Sequence, residues 1–234
     1  MKTGVDEKRI LRRELKNLFL LDYDVGPAYE FMHKYERLGR LTELLRGLRP
    51  ENMAKDVFEG VIKAIIQQQI SLNAAYAITG CLVQKFGEYV EFEGKRYYEF
   101  PSPEALAKAR IEEMMECKLS RRKAEYIGGF AKAVIEGYNP EALRKKSNEE
   151  VISELTGFKG IGIWSAELVL VAVLGRLDAI PADDLAVRRA ISRFFFNEKK
   201  ISAETVRKLA ESWERHKGII AYYLICAEKM KHGA

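Results

Sequence analysis

The stretch Leu155-Thr-Gly-Phe-Lys-Gly-Ile-Gly-Ile-Trp-Ser-Ala166 decides the fold of this 234-residue chain. It reads as the end of one helix, a tight glycine hairpin and the start of another helix. Gly160 and Gly162 let the backbone turn without a Cβ and leave amide N–H groups at a helix N-terminus, where an anion such as phosphate is held by both hydrogen bonds and the helix dipole. Upstream, Ser147-Asn-Glu-Glu150 is a capping box opening a helix that ends at Gly157. A helix rather than a strand therefore precedes the glycines, which excludes a dinucleotide-binding fingerprint. Taken alone the hairpin also fits a plain helix-loop-helix corner. Downstream, Ser165 to Leu174 forms an almost wholly apolar helix, and Ala182-Asp183-Asp184-Leu-Ala-Val-Arg-Arg-Ala190 caps and opens the next.

Outward from this segment the 3.6-residue period continues in both directions. Ile10, Leu11, Leu15, Leu18 and Phe19 share one face, and Val57, Phe58, Val61, Ile62, Ile65 and Ile66 form a wider stripe. After Gln67-Gln68-Gln69 the apolar face resumes at Leu72 and runs to Phe86, so the glutamines mark a polar break between two helices. Glu88 to Phe100 carries the strand-like alternation, a small hairpin or a loop. Ser102-Pro103 starts a short helix, Ser120 caps a longer one reaching Gly137, and Ser202 and Ala221 begin the last two. The sum is about ten helices with little or no sheet, an all-α chain.

Composition narrows the function classes. An apolar content of 47% supports a real core, and Lys+Arg 39 against Asp+Glu 34 gives a net charge of +5, which suits an anionic partner. No apolar run approaches the roughly 20 residues of a membrane span, and the start MKTGVDEKRI lacks a signal-peptide core, so the chain is expected inside the cell and off the membrane. Cys81, Cys117 and Cys226 lie too far apart for a metal pair or an iron-sulfur cluster and read as buried small hydrophobes. His33, His216 and His232 offer no zinc spacing. Charged residues at 31% with only four glutamines lean toward a thermophile.

A G-I-G hairpin, an apolar helix and an aspartate some twenty residues on resemble the helix-hairpin-helix DNA glycosylases. Ile65-Ile66-Gln67-Gln68-Gln69-Ile70-Ser71 is similar to the Q-Q-I-S segment of the 3-methyladenine DNA glycosylase II branch. Phe19-Leu-Leu-Asp-Tyr-Asp24, Gly47-Leu-Arg-Pro50, Phe100-Pro-Ser-Pro-Glu-Ala-Leu-Ala107 and Leu119-Ser-Arg-Arg-Lys-Ala-Glu-Tyr-Ile127 extend the likeness over nearly the whole chain from about Leu11. The resemblance implies a two-lobed fold: residues 1–52 and 186–234 in a lobe formed by both termini, and 53–185 in a bundle carrying the Gln run, the hairpin and the aspartate. It also implies a monomer acting on double-stranded DNA that contains damaged bases, in the cytoplasm of a prokaryote and associated with its nucleoid.

The implied chemistry assigns roles to residues. A glycosylase flips a damaged nucleotide from the stack and cleaves the bond from sugar C1′ to the base nitrogen. The transition state is cationic at the sugar, so a carboxylate near C1′ stabilises it and orients water: Asp184, with Asp183 competing and a helix N-cap as the plain alternative for either. Family members that also nick the strand carry a lysine two residues after the second hairpin glycine, which forms a Schiff base. Here that position is Trp164, which implies hydrolysis by water and an aromatic face for an electron-poor alkylated base, against ordinary core packing of the same ring. Leu168 and His216 stand where relatives place aromatic pocket residues. Gln68 or Gln69 would fill the gap left by the flipped nucleotide, unless the glutamines are simply a helix break satisfied internally. Gly160, Gly162, Ser165 and Lys159 would bind phosphate. The carbonyls of Thr156, Phe158 and Ile161 match those holding a monovalent cation, Na+ or K+, in relatives; no other cofactor is required. The expected lesions are N-alkylated purines of the 3-methyladenine and 7-methylguanine type. The alternatives are a glycosylase for oxidised or deaminated bases and a non-catalytic DNA-binding protein.

Overall fold

The computed structural model describes residues 3–232, and side chains for residues 7–230. Among the described residues the chain is all-α apart from one antiparallel hairpin. The helices are α1 (Thr3–Leu18), α2 (Gly26–Met32), α3 (Glu36–Leu44), α4 (Val57–Gln67), α5 (Leu72–Phe86), α6 (Pro103–Lys108), α7 (Ile111–Met115), α8 (Arg121–Ile135), α9 (Asn148–Thr156), α10 (Ile163–Ala172), α11 (Leu185–Phe195), α12 (Ala203–Glu211) and α13 (Lys217–His232). The hairpin pairs β1 (Tyr89–Phe92) with β2 (Lys95–Tyr98), resolving the choice between hairpin and loop. The thirteen α-helices among the described residues exceed the expected ten because some are short, α7 spanning little more than one turn and α2 about two.

The chain divides into two compact units, Asp56–Val169 and Met1–Lys55 with Leu170–Ala234. The second boundary falls earlier than the expected 185/186, so Asp184 belongs to the unit of the termini. The cause is packing after the helix α10: Leu177, Ile180 and Ala182 are buried in the same core as α2, α11 and α13.

In the Asp56–Val169 unit, α4 buries Val57, Val61, Ile62, Ile65 and Ile66 almost completely, each worth about 1.5–3 kcal/mol. Asp56 caps this helix through the amide of Glu59. Phe130 of α8 stacks on Phe58 and meets Phe158 edge-on at 5.0 Å, which anchors the entry to the glycine hairpin. Cys81 on α5 and Cys117 form a disulfide with Cα atoms 5.4 Å apart. This corrects the reading of all three cysteines as buried hydrophobes: the antiparallel return through β1, β2, α6 and α7 brings together two thiols 36 residues apart in sequence. Cys226 remains a free, half-buried thiol, and burial pushes it above the usual thiol range.

In the unit of the termini, Tyr223 is fully buried and its hydroxyl donates to the Leu48 carbonyl at 2.7 Å. Tyr29 in turn donates to Tyr223 and accepts from the amide of Gly47, so a directed chain of hydrogen bonds pins the loop after α3. The helix α13 starts at Lys217 rather than at Ala221. Gly218 is not a helix breaker; a Cβ there would sit 2.9 Å from the Leu177 backbone, whose carbonyl accepts from the Gly218 amide.

Candidate active site

The hairpin is built by local chemistry. Ser147 accepts from the amide of Glu150 at 3.2 Å and Glu150 accepts from the amide of Ser147 at 2.7 Å, the capping box expected for α9. After α9 the chain turns through bonds from the Phe158 amide to the Leu155 carbonyl and from the Ile161 amide to the Phe158 carbonyl. Gly160 adopts φ +88°, and a Cβ there would stand 2.1 Å from the ring of Tyr126. The chain itself therefore demands glycine at 160. Gly162 differs: a Cβ would meet nothing within 4 Å, and its φ lies outside the left-handed region. Nothing in its surroundings requires glycine, whereas an anion drawn against the first amides of α10 would. Lys159 is exposed beside it.

Ser165, expected as a phosphate contact, is only 2% exposed. Its hydroxyl instead accepts from the Gln68 side-chain amide at 2.9 Å. The same Gln68 amide donates to the Gly160 carbonyl at 2.8 Å. Gln68 is thus a brace between the polar break and the hairpin, its side chain satisfied internally. Gln69 is presented differently: exposed, at φ +57°, at the apex between α4 and α5. Left-handed backbone is unfavourable for a residue with a side chain and is held only where its surroundings fix it. One fixing group escaped the sequence reading. The Lys123 ammonium of α8 donates to the carbonyls of Ile66 and Gln68, at 2.7 and 2.6 Å. Burial pushes this lysine below its usual range.

Asp184 is the N-cap of α11: its Oδ1 accepts from the amides of Ala186 at 2.8 Å and Val187 at 3.2 Å. The carboxylate is half-buried and fixed in direction by two backbone donors, and it lies at the favourable end of the α11 dipole. Asp183 does not cap α11; it is exposed and pairs with Arg207 at 2.7 Å. The next residue, Leu185, is 74% exposed. One and a half turns along α11, the Arg189 guanidinium bonds to the buried Glu228 of α13 at 2.5 Å, an arrangement the sequence did not signal.

Of the other expected pocket residues, Trp164 and Leu168 sit half-buried four residues apart on one side of α10. His216 lies in the other unit, 5% exposed, with its ring 5.2 Å from that of Phe31. Burial lowers its pKa, and its Nδ1 has no hydrogen-bond partner among the described residues.

The sequence matches the HhH-GPD superfamily of base excision DNA repair proteins over residues 62–215, well over half of the chain. The chain belongs to this family. The span that carries the HhH-GPD match holds the Gln turn, the hairpin, Trp164 and Asp184, and stops just short of His216. DNA-3-methyladenine glycosylase 1 of Schizosaccharomyces pombe is 33% identical over 200 residues, 83% of each chain. Among solved structures, the 3-methyladenine DNA-glycosylase from Archaeoglobus fulgidus superposes with a TM-score of 0.86 at 43% identity, over 96% of this chain and 76% of that one. The Schizosaccharomyces pombe 3-methyladenine DNA glycosylase Mag1, in complex with abasic DNA, gives 0.76 at 31% identity, over 87% and 97%. An HhH-GPD protein is a DNA-repair protein, so the partner of this chain is DNA.

Proposed function

We propose that this HhH-GPD protein is a monofunctional DNA glycosylase that removes N-alkylated bases of the 3-methyladenine and 7-methylguanine type and leaves an abasic site. The observation that carries the reading is Asp184: a carboxylate aimed by two amides of α11, at the spacing from the hairpin that the family reserves for its acid. As the C1′–N bond breaks, the electron pair leaves with the base and positive charge grows on the sugar. Asp184 stabilises that charge, and water adds its oxygen to C1′ while passing a proton to the Asp184 carboxylate, which returns it to solvent. An alkylated base is electron-poor and already cationic, which makes it the better leaving group and the better partner for the face of Trp164.

DNA contact is assigned to the α10 amides behind Gly162 and to Lys159, and gap filling to Gln69 rather than Gln68. The carbonyls of Thr156, Phe158 and Ile161 are neutral oxygen donors along the hairpin, a set suited to Na+ or K+ rather than to a transition metal. The protein is read as a monomer that finds its lesions on double-stranded DNA at the nucleoid. A disulfide inside such a cell is a feature of hyperthermophile proteins, which supports the thermophilic reading.

The test is release of free base from duplex DNA treated with a methylating agent, followed by chromatography of the supernatant. Free 3-methyladenine and 7-methylguanine are expected, with the strand intact until alkali is added. Borohydride present during turnover is expected to trap no cross-link, because position 164 carries no amine. A strong Lys159-dependent cross-link would overturn the monofunctional assignment, and release confined to oxidised or deaminated bases would overturn the lesion class.

A further inference from the structure

We propose that Lys123 is a positioning residue for base flipping, which clamps the turn of Gln69 to the hairpin so that phosphate binding and gap filling act as one rigid device. The proposal rests on the reading of Gln69 as the gap-filling residue.

Four hydrogen bonds carry it. The Lys123 ammonium donates to the Ile66 carbonyl in the last turn of α4 and to the Gln68 carbonyl just beyond it. These belong to the carbonyls that a helix end leaves without intrahelical partners, and a cation is the favoured group there. From the same residue, the Gln68 side chain donates to Gly160 and Ser165 in the hairpin. Gln68 is therefore held at both ends, its carbonyl by Lys123 and its amide by the hairpin. Gln69 follows it in the left-handed region, with an exposed side chain. A left-handed glutamine persists only if both flanking peptide units are fixed, and the Gln68–Gln69 peptide is the one whose oxygen Lys123 holds. Lys123 itself is seated by α8, whose N-cap Ser120 accepts from the Lys123 amide. Lys123 is half-buried, and its ammonium is engaged by both carbonyls rather than left to solvent.

The clamp predicts coupling rather than simple loss of stability. The substrates are a duplex with a tetrahydrofuran abasic-site analogue opposite 2-aminopurine, and the same duplex without a lesion. Lys123→Met keeps the apolar stem and removes the two charged donors. It should weaken binding to the abasic duplex about tenfold while leaving the intact duplex within about twofold. The 2-aminopurine fluorescence change that Gln69→Ala removes should disappear in Lys123→Met as well. Adding Lys123→Met to Gln69→Ala should cost nothing more, since both act through the same inserted side chain. Lys123→Arg, which restores a cation with several donors, should recover most of the fluorescence change, and thermal melting identifies any variant that has lost its fold. If Gln69→Ala has no effect on either duplex, the gap-filling reading fails and this proposal with it. If Gln69→Ala acts but Lys123→Met preserves the fluorescence change, or the two losses simply add, Lys123 is only structural and the proposal alone is overturned.

Discussion

Gly160 and Gly162 should respond to the same substitution in opposite ways. In Gly160→Ala the new Cβ meets the Tyr126 ring at 2.1 Å, and the backbone stays at φ +88°. Carbon atoms rest about 3.5–4.0 Å apart, so the ring must move by about 1.5 Å in a packed unit. Overpacking of this kind and the left-handed backbone together cost about 3 kcal/mol, roughly a 10 °C fall in Tm for a chain of this size. In Gly162→Ala the Cβ meets nothing within 4 Å and the backbone is unstrained. The loss of unfolded-state freedom should then raise stability by about 0.5 kcal/mol. On DNA the order reverses, because the methyl holds phosphate away from the first amides of α10. Charge-assisted bonds of this type are worth about 2 kcal/mol, or about thirtyfold in Kd. The assay is paired: Tm by circular dichroism, and Kd by fluorescence anisotropy on intact and abasic duplexes at fixed salt. Both duplexes should weaken equally, since phosphate contacts position the protein and do not read bases. Unchanged Kd in a well-folded Gly162→Ala would refute the phosphate reading of the hairpin, and a loss confined to one lesion would contradict it as well.

Titration of the denatured, unreduced protein should count one free thiol, that of Cys226, and three would disprove the Cys81–Cys117 bond. Opening that 36-residue loop by Cys81→Ser should cost about 4 kcal/mol and lower Tm by roughly 10 °C, as should strong reductant with the native protein. His216 has a folded pKa held below the usual 6.5 by burial, with Arg215 and Lys34 adding to the effect and Glu214 opposing it. The unfolded chain therefore binds the proton first, and the stability this ring contributes is full above about pH 6.5 and is lost as pH falls toward the folded pKa. His216→Phe should flatten that part of the stability curve, and an unaltered slope between wild type and variant would show that the ring is not buried neutral.

Local signals carried the sequence reading a long way. The Ser147 capping box, the G-I-G turn and the N-cap before Leu185 each act within a few residues, so spacing revealed the hairpin and the helix that Asp184 opens. What spacing could not show were partners distant in sequence. Gln68 looked as able as Gln69 to enter DNA, because its acceptors at Gly160 and Ser165 lie more than ninety residues away. The hydroxyl of Ser165 likewise showed no sign of its partner Gln68. Lys123 was one of two lysines on an amphipathic helix until the fold set its ammonium on two carbonyls. Cys81 and Cys117 carried no pairing signal, and the start of the last helix was read at Ala221 rather than at Lys217 because the close approach of Gly218 to Leu177 leaves no mark in the local sequence.

The central claim is that Asp184 drives base release, and single-turnover excision of 3-methyladenine by Asp184→Asn tests it most directly. Asparagine caps helices as well as aspartate does, so α11 and binding to abasic DNA should survive while only the charge is removed. Excision should fall by about 10²-fold or more. Asp183→Asn, which loses only an exposed pair with Arg207, should stay within about threefold of wild type. Near-normal excision by Asp184→Asn, or a larger loss in Asp183→Asn, would contradict the account.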